Sequence, residues 1–273
     1  MIENLWRSDE KLGEFIEYNT RVKRYSNGNL KVIHTSYTQF KGKPTNNKKN
    51  GTSTAEQLER YKNKRLHQRR ALIYDIAYEN TCIIPWQYFV TLTFNDNIAD
   101  ASNFDECTNK LKNWLDTSRR NNPNMRYIIV PELHKSGRIH FHGLFANVPN
   151  WRLEEGRNPK TGRKIVKNGS LIYNLTNYRL GYTTVSEVKD IGAVTFYITK
   201  YITKELLNMH YKKNYWCSRN LTKPKTDYYF SRNLGDVYNY LERHNEVIIY
   251  DKDLTSDNQE VHFIGTSHNI YKV

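Results

Sequence analysis

Residues 130–145 read VPELHKSGRIHFHGLF, and how this stretch folds back on itself decides the architecture. In a β-strand successive side chains point to opposite faces. Ile139, Phe141, Gly143 and Phe145 therefore share one face of the second arm, while His140, His142 and Leu144 share the other. A loop of Lys135, Ser136 and Gly137 joins the arms, because Gly137 falls where a type I turn followed by a left-handed residue requires a positive φ. That loop length sets His134 opposite Arg138 and Glu132 opposite His140, and directly opposed residues share a face. Glu132, His140 and His142 then converge on one surface, with His134 at its rim. A two-residue loop would shift the register by one and turn Glu132 away. Pro131 implies an edge or a bulge in the first arm, and a bulge there would also re-aim Glu132.

Two imidazoles and a carboxylate on a rigid sheet form a three-ligand site for a divalent cation. Such a site leaves coordination positions open, as catalysis needs and a closed structural zinc does not. Same-face neighbours along a strand lie about 6.6 Å apart, a gap that two imidazoles bonded to one ion at about 2 Å can bridge.

Outward from the hairpin, QYFVTLTF (87–94) alternates Tyr88, Val90, Leu92 and Phe94 against Phe89, Thr91 and Thr93, the pattern of a strand with one apolar and one mixed face. DASNFDECTNKLKNWLDTSRR follows as a helix with Phe104, Leu111 and Leu115 on its inner stripe. MRYIIVPELH, RIHFHGLF and LGYTTVSEV read as further strands, and the polar, basic EEGRNPKTGRKIVKNGS between the last two reads as a hairpin insertion or mobile loop. The order strand, helix, strand, strand, strand, helix predicts an α+β fold, an antiparallel sheet with helices on one face.

Before this core, FKGKPTNNKKNGTS reads as a flexible connection, and Ser53 with Glu56 has capping-box spacing for a helix over about 54–80. Leu72, Ile73, Ile76 and Ala77 should anchor that helix. Its first half carries Lys62, Lys64, Arg65, Arg69 and Arg70, which suit either a solvated face or one that contacts phosphates. Beyond about residue 213, a short helix LGDVYNYLERH and two strands, EVIIY and EVHFI, are expected. The domains expected are a basic extension over 1–80, a core over 81–212 and a C-terminal extension over 213–273.

FYITKYITK (196–204) repeats Tyr-x-x-Lys twice, as Tyr197 with Lys200 and Tyr201 with Lys204. On a helix from Ile191 to about Asn208, with Asp190 as N-cap, the two tyrosines share a face and Val194, Ile198, Ile202 and Leu206 form an adjacent packing stripe. The β-branched Ile198, Thr199, Ile202 and Thr203 keep a strand in competition. A phenol with an ordinary pKa of about 10 needs help to become a nucleophile. A neighbouring Lys can stabilise the developing charge, and a bound cation can polarise a phosphodiester.

Composition points the same way. Lys and Arg number 42 against 28 Asp and Glu, a formal net charge of +14, which suits a polyanionic partner, most simply nucleic acid. The 21 tyrosines add rings suited to stacking on unpaired bases. Three widely spaced cysteines fit reduced thiols better than a disulfide framework. With no apolar signal segment or spanning run in the sequence, a cytoplasmic location without membrane attachment is expected. The Walker pattern is absent, so no P-loop motor is evident.

Motif by motif, the chain resembles the HUH endonucleases, specifically the rolling-circle replication initiators of small plasmids and single-stranded DNA phages, including those of microvirus type. FVTLTF resembles their first motif, PELHKSGRIHFHGLF their metal motif with its upstream acid, and YITKYITK their tyrosine motif, together spanning about residues 60–225 with the flanking similarities. The resemblance implies a ferredoxin-like or RRM-like antiparallel sheet of about five strands, with the metal motif on a central strand and the tyrosine helix packed over it. It implies His140, His142 and Glu132 as ligands of Mg²⁺ or Mn²⁺, and Tyr201 ahead of Tyr197 as nucleophile, with Lys200 and Lys204 in support. Lys62, Lys64, Arg65, Arg69, Arg70, Lys135 and Arg138 are the candidate DNA contacts. The implied reaction nicks single-stranded DNA at an origin hairpin, leaves a 5′-phosphotyrosyl link and a free 3′-hydroxyl, and later rejoins ends. A helicase and a DNA polymerase would act in trans. The alternatives are a relaxase or single-strand transposase of the same chemistry, and a noncatalytic nucleic-acid-binding protein on an RRM-like sheet.

Overall fold

The structure, a computed structural model, describes residues 5–7, 15–42, 54–167, 169–203, 214–256 and 259–268. The chain forms two compact units, Met1–Gly51 together with Pro224–Val273, and Thr52–Lys223. These divisions differ from those expected after residues 80 and 212. The first helix belongs to the second unit, and the two ends of the chain build the other unit jointly.

Strand pairing between distant segments explains the joint unit. With elements numbered in chain order, β1 (Leu5–Arg7), β2 (Phe15–Arg24) and β3 (Leu30–Gly42) combine with β13 (Lys225–Ser231), β14 (Glu246–Ser256) and β15 (Gln259–His268). They form an antiparallel six-stranded sheet in the order β1-β13-β2-β3-β15-β14. Helix α4 (Leu234–Arg243) buries Val237 and Leu241 with Val22, Leu30, Val32 and Ile264. The expected late helix and strands are present; β1, β2, β3 and β13 were not anticipated.

In the second unit the order is α1 (Ala55–Ile83), β4 (Tyr88–Leu92), α2 (Phe104–Asn121), β5 (Arg126–Leu133), β6 (Ile139–Ala146) and β7 (Leu153–Glu155). The ribbon of β8 (Val166–Lys167) and β9 (Ser170–Leu171) follows, then β10 (Tyr173–Leu175), β11 (Thr183–Glu187), α3 (Ile191–Thr199) and β12 (Trp216–Cys217). The sheet runs β12-β5-β6-β4-β11-β10-β7, so the expected five antiparallel strands, β5 to β10, are extended at each edge by one short strand. Four helices are described across the two units, and the fold is mixed α+β.

The helices cover both faces of this sheet rather than one. On one face Phe141, Phe145, Val90, Leu92 and Ile129 pack with Leu111, Trp114 and Leu115 of α2. On the other, Leu144, Ile128 and Val130 pack with Ile73, Ile76 and Ala77 of α1 and with Ile198 of α3. The alternation along β6 supplies an apolar residue to each side, so one strand serves two cores. Helix α1 is capped one residue later than expected: the Thr54 hydroxyl accepts from the Gln57 N–H at 3.2 Å, and the Gln57 side chain accepts from the Thr54 N–H at 3.1 Å. Among the described residues, no helix is long and apolar enough to cross a membrane.

The loop between β10 and β11 passes close to the end of β4. A Cβ on Gly181 would press on the Thr93 carbonyl oxygen and lie 2.8 Å from Phe94 Cα and 2.9 Å from Asn95 N, all backbone atoms. Gly181→Ala is therefore expected to destabilise this unit by about 1–3 kcal/mol, read as a lowered urea midpoint; an unchanged midpoint would contradict this packing.

Candidate active site

The hairpin has the register that loop length and glycine placement demand. Glu132 pairs with His140 and Val130 with His142, without a bulge. Gly137 has φ +82° and donates to the His134 carbonyl at 2.9 Å, while His134 N–H donates to the Arg138 carbonyl at 2.8 Å. Pro131 fits because hydrogen-bonded and non-hydrogen-bonded pairs alternate, and the His134–Arg138 bond makes Pro131–Phe141 a non-bonded pair. The proline nitrogen thus points away from β6, towards an edge where β12 pairs only Ile128 and Ile129.

The pleat carries Glu132 and His142 into contact, with Nε2 of His142 2.7 Å from Oε2 of Glu132. Nδ1 of the same ring lies 3.1 Å from Thr91 Oγ1 on the neighbouring strand β4, where Thr91 is its direct cross-strand partner. The hydrogen bond to His142 holds the Glu132 carboxyl below its ordinary range, against the effect of partial burial. Burial pushes both His142 and His140 down; Glu132 opposes this, and neighbouring imidazoles add to it at His140. An ionised carboxylate and neutral imidazoles are the states in which these groups can ligate a cation.

Over this face lies the tyrosine segment. Asp190 caps α3 by accepting from the Ala193 N–H at 2.9 Å, as its position predicts. The helix ends at Thr199, shorter than the span to Asn208 expected; residues 204–208, with Lys204 and Leu206, fall outside the described residues. Arg70 of α1 donates to the Ile202 carbonyl at 3.0 Å and so satisfies a backbone group beyond the helix end. Buried Ile198 and Ile202 hold the segment down. The Tyr201 ring stacks on the His142 ring, centroids 3.5 Å apart and planes 13° from parallel. Its hydroxyl donates to the Tyr197 hydroxyl at 2.8 Å. Tyr201 is 8% exposed and Tyr197 39%. Burial first, then the bond to Tyr197, pushes the Tyr201 phenol well above its ordinary pKa.

Lys200 sits with its ammonium 4.7 Å from the Tyr197 ring centroid and 5.9 Å from that of Tyr201. Phe89 on β4 meets Tyr197 edge-on at 5.3 Å and lies 6.1 Å from Tyr201. Phe89 and Thr91 belong to this face and were not among the predicted site residues. Their alternation against Val90 and Leu92 was the available signal, but only the pairing of β4 with β6 says whom they meet.

His140 stands apart from the contact that joins Glu132 and His142. Its ring stacks on His134, centroids 5.1 Å apart, and among the described residues no three His, Cys, Asp or Glu side chains are already gathered around a single point. The predicted DNA contacts divide. Arg138 pairs with Asp96 at 2.6 Å and donates to the Phe94 carbonyl, and Arg70 serves the tyrosine segment, so both hold structure together. Arg65 lies 5.8 Å from the centre of the Tyr61 ring and Arg69 5.3 Å from that of Tyr215. Lys64 and Lys135 are exposed, and Lys62 is half-buried. The chain's excess of basic over acidic residues lies almost wholly in Thr52–Lys223, the unit that carries this site.

Residues 87–206 match the family model of the replication-associated protein of ORF2 type. The match indicates a replication-initiator type of protein. The replication-associated segment runs from the residue before β4 to beyond Lys204, and so contains Thr91, Glu132, His140, His142, Tyr197 and Tyr201. It leaves out α1 and the whole joint terminal unit. No curated protein and no solved structure matches the chain.

Proposed function

We propose that the chain is an HUH-type rolling-circle replication initiator, a site-specific endonuclease and strand transferase acting on single-stranded DNA. The observation that carries this reading is the Tyr201 ring lying flat on His142 while His142 bonds Glu132, which joins the tyrosine motif to the metal motif in one place. Glu132, His140 and His142 are the donors of a Mg²⁺ or Mn²⁺ ion; they suit it by charge and shared face, with the His140 ring turning off His134 to complete the set. Such an ion supplies Lewis-acid polarisation of the scissile phosphodiester.

Tyr201 attacks phosphorus, the bond to the 3′ oxygen breaks, and the 5′ phosphate remains on the phenol. The phenolic proton leaves along the hydroxyl pair, from Tyr201 to the Tyr197 oxygen and from Tyr197 to solvent. The departing 3′ oxygen takes a proton from solvent. Lys200 stabilises the negative charge that grows on the phenol oxygen and the phosphoryl group. The free 3′-hydroxyl primes a polymerase, a separate helicase opens the duplex, and reversal of the attack rejoins ends.

The test is a denaturing gel of the protein incubated with a labelled single-stranded hairpin from the source replicon and Mn²⁺. A covalent adduct is expected, lost with EDTA and lost when His140→Ala and His142→Ala are combined. A protein that shifts the DNA on a native gel yet never forms the adduct is a binding module, and the proposal falls.

A further inference from the structure

We infer that Thr91 is the positioning residue of the metal site, holding His142 in place while letting the ring exchange one tautomer for the other; this rests on the reading above. The imidazole is fixed on three sides. Glu132 bonds Nε2 at 2.7 Å, Thr91 lies at Nδ1 at 3.1 Å, and the Tyr201 ring covers one face at 3.5 Å between centroids. His142 is only 4% exposed, so solvent cannot stand in for either nitrogen's partner.

The chemistry of the two nitrogens then constrains the third group. An ionised carboxylate only accepts, so in the contact with Glu132 the proton of the neutral ring sits on Nε2. Nδ1 is then a lone pair and its partner must donate. To ligate a cation through Nε2, the ring must lose that proton and carry one on Nδ1 instead, so that one proton leaves and one arrives. Now the partner must accept. A hydroxyl does both by rotation about its C–O bond, without moving a heavy atom. A carboxylate or a backbone carbonyl at this position would favour the ligating tautomer alone, and a methyl group would favour neither.

Thr91 is also suited to hold the ring's direction. Its β-branched side chain is stiff about χ1, and it stands on β4 as the direct cross-strand partner of His142. The ring edge is thereby kept on Glu132 and its face on Tyr201, so the residue that orients the ligand also sets where the phenol lies. Thr91 touches neither substrate nor ion itself.

The experiment measures Mn²⁺ binding to the full chain without DNA, by the loss of the free-ion electron paramagnetic resonance signal, in the wild type, Thr91→Val, Thr91→Ser and the His140→Ala, His142→Ala double variant. Thr91→Val is expected to weaken Mn²⁺ binding by about 10–100-fold, the usual range for loss of an outer partner of a metal-ligating histidine. Thr91→Ser, which keeps the hydroxyl, is expected to bind within about threefold of the wild type. Nitrogen NMR of the ion-free chain gives a second readout, with His142 protonated on Nε2 in the wild type and in Thr91→Ser, and mixed in Thr91→Val. Wild-type affinity in Thr91→Val, or equal weakening in the serine variant, overturns the role assigned to Thr91 while leaving the metal site standing. A wild type that binds no Mn²⁺, or binds it no better than the double histidine variant, overturns both.

Discussion

Phe141→Ala is expected to lower the stability of the Thr52–Lys223 unit by about 3–5 kcal/mol, the range for truncating a buried aromatic ring. Phe141 is completely buried, and its ring meets Trp216 at 5.4 Å, Phe94 at 5.9 Å and Phe104 at 6.5 Å between centroids. These neighbours come from three separate segments, so the space left cannot close by moving one side chain. A domain's whole stability is about 5–15 kcal/mol, so the loss is a large fraction of it. The neighbouring His142 points to the other face, and His142→Ala is expected to abolish the adduct at a much smaller cost in stability. Urea denaturation followed by tryptophan fluorescence measures the contrast, since Trp114, Trp151 and Trp216 all belong to or border the Phe141 cluster. A loss below about 1 kcal/mol for Phe141→Ala would mean that the two faces of β6 are assigned the wrong way round.

What the sequence revealed most clearly was local. The hairpin register followed from one glycine and a loop length, because a period of two turns a register into a face, and Glu132 duly meets His140. The strand over 87–94, the stripe of α2 and the cap at Asp190 followed from equally short-range rules. Distance defeated the rest. Asn19 donates to the Ser231 carbonyl across 212 positions, and no periodicity within a window reports that β13 lies between β1 and β2. The β2–β3 hairpin did carry a signal, the Asn27-Gly28 pair that closes it with Gly28 at φ +89°.

Within the candidate site the limit was similar. Sequence could place three ligating side chains on one face, but rotamers are chosen by neighbours: His140 finds His134 just before the loop, whereas His142 finds Thr91 51 positions away. Likewise, the cations of α1 looked alike in sequence, and only packing against the tyrosine segment separates Arg70 from Lys64. The capping box slipped by one position because Ser53-x-x-Glu56 and Thr54-x-x-Gln57 are both capping boxes by composition.

Tyr201→Phe is expected to cut adduct formation by about a thousandfold or more, as removal of a nucleophile does, and Tyr197→Phe by much less. The two phenols share a helix face and a hydrogen bond, so the difference must come from what lies beyond that bond. Tyr201 is the one in contact with His142, and its phenol also feels the charge of Glu132; the better exposed Tyr197 stacks on neither and meets Phe89 instead. Tyr201 therefore stands beside the group that would hold the phosphate, and Tyr197 stands where the departing proton goes. Losing the Tyr197 hydroxyl removes an acceptor that solvent can partly replace, because Tyr197 lies towards the outside. The phenylalanine ring keeps the packing against Phe89, so Tyr197→Phe should leave the fold and DNA binding intact. Initial rates of adduct formation under single-turnover conditions, with equal protein and Mn²⁺, separate the two variants. Should Tyr197→Phe prove the dead variant and Tyr201→Phe the active one, the ring on His142 would be packing alone, and the attacking oxygen would be the exposed one beside Lys200.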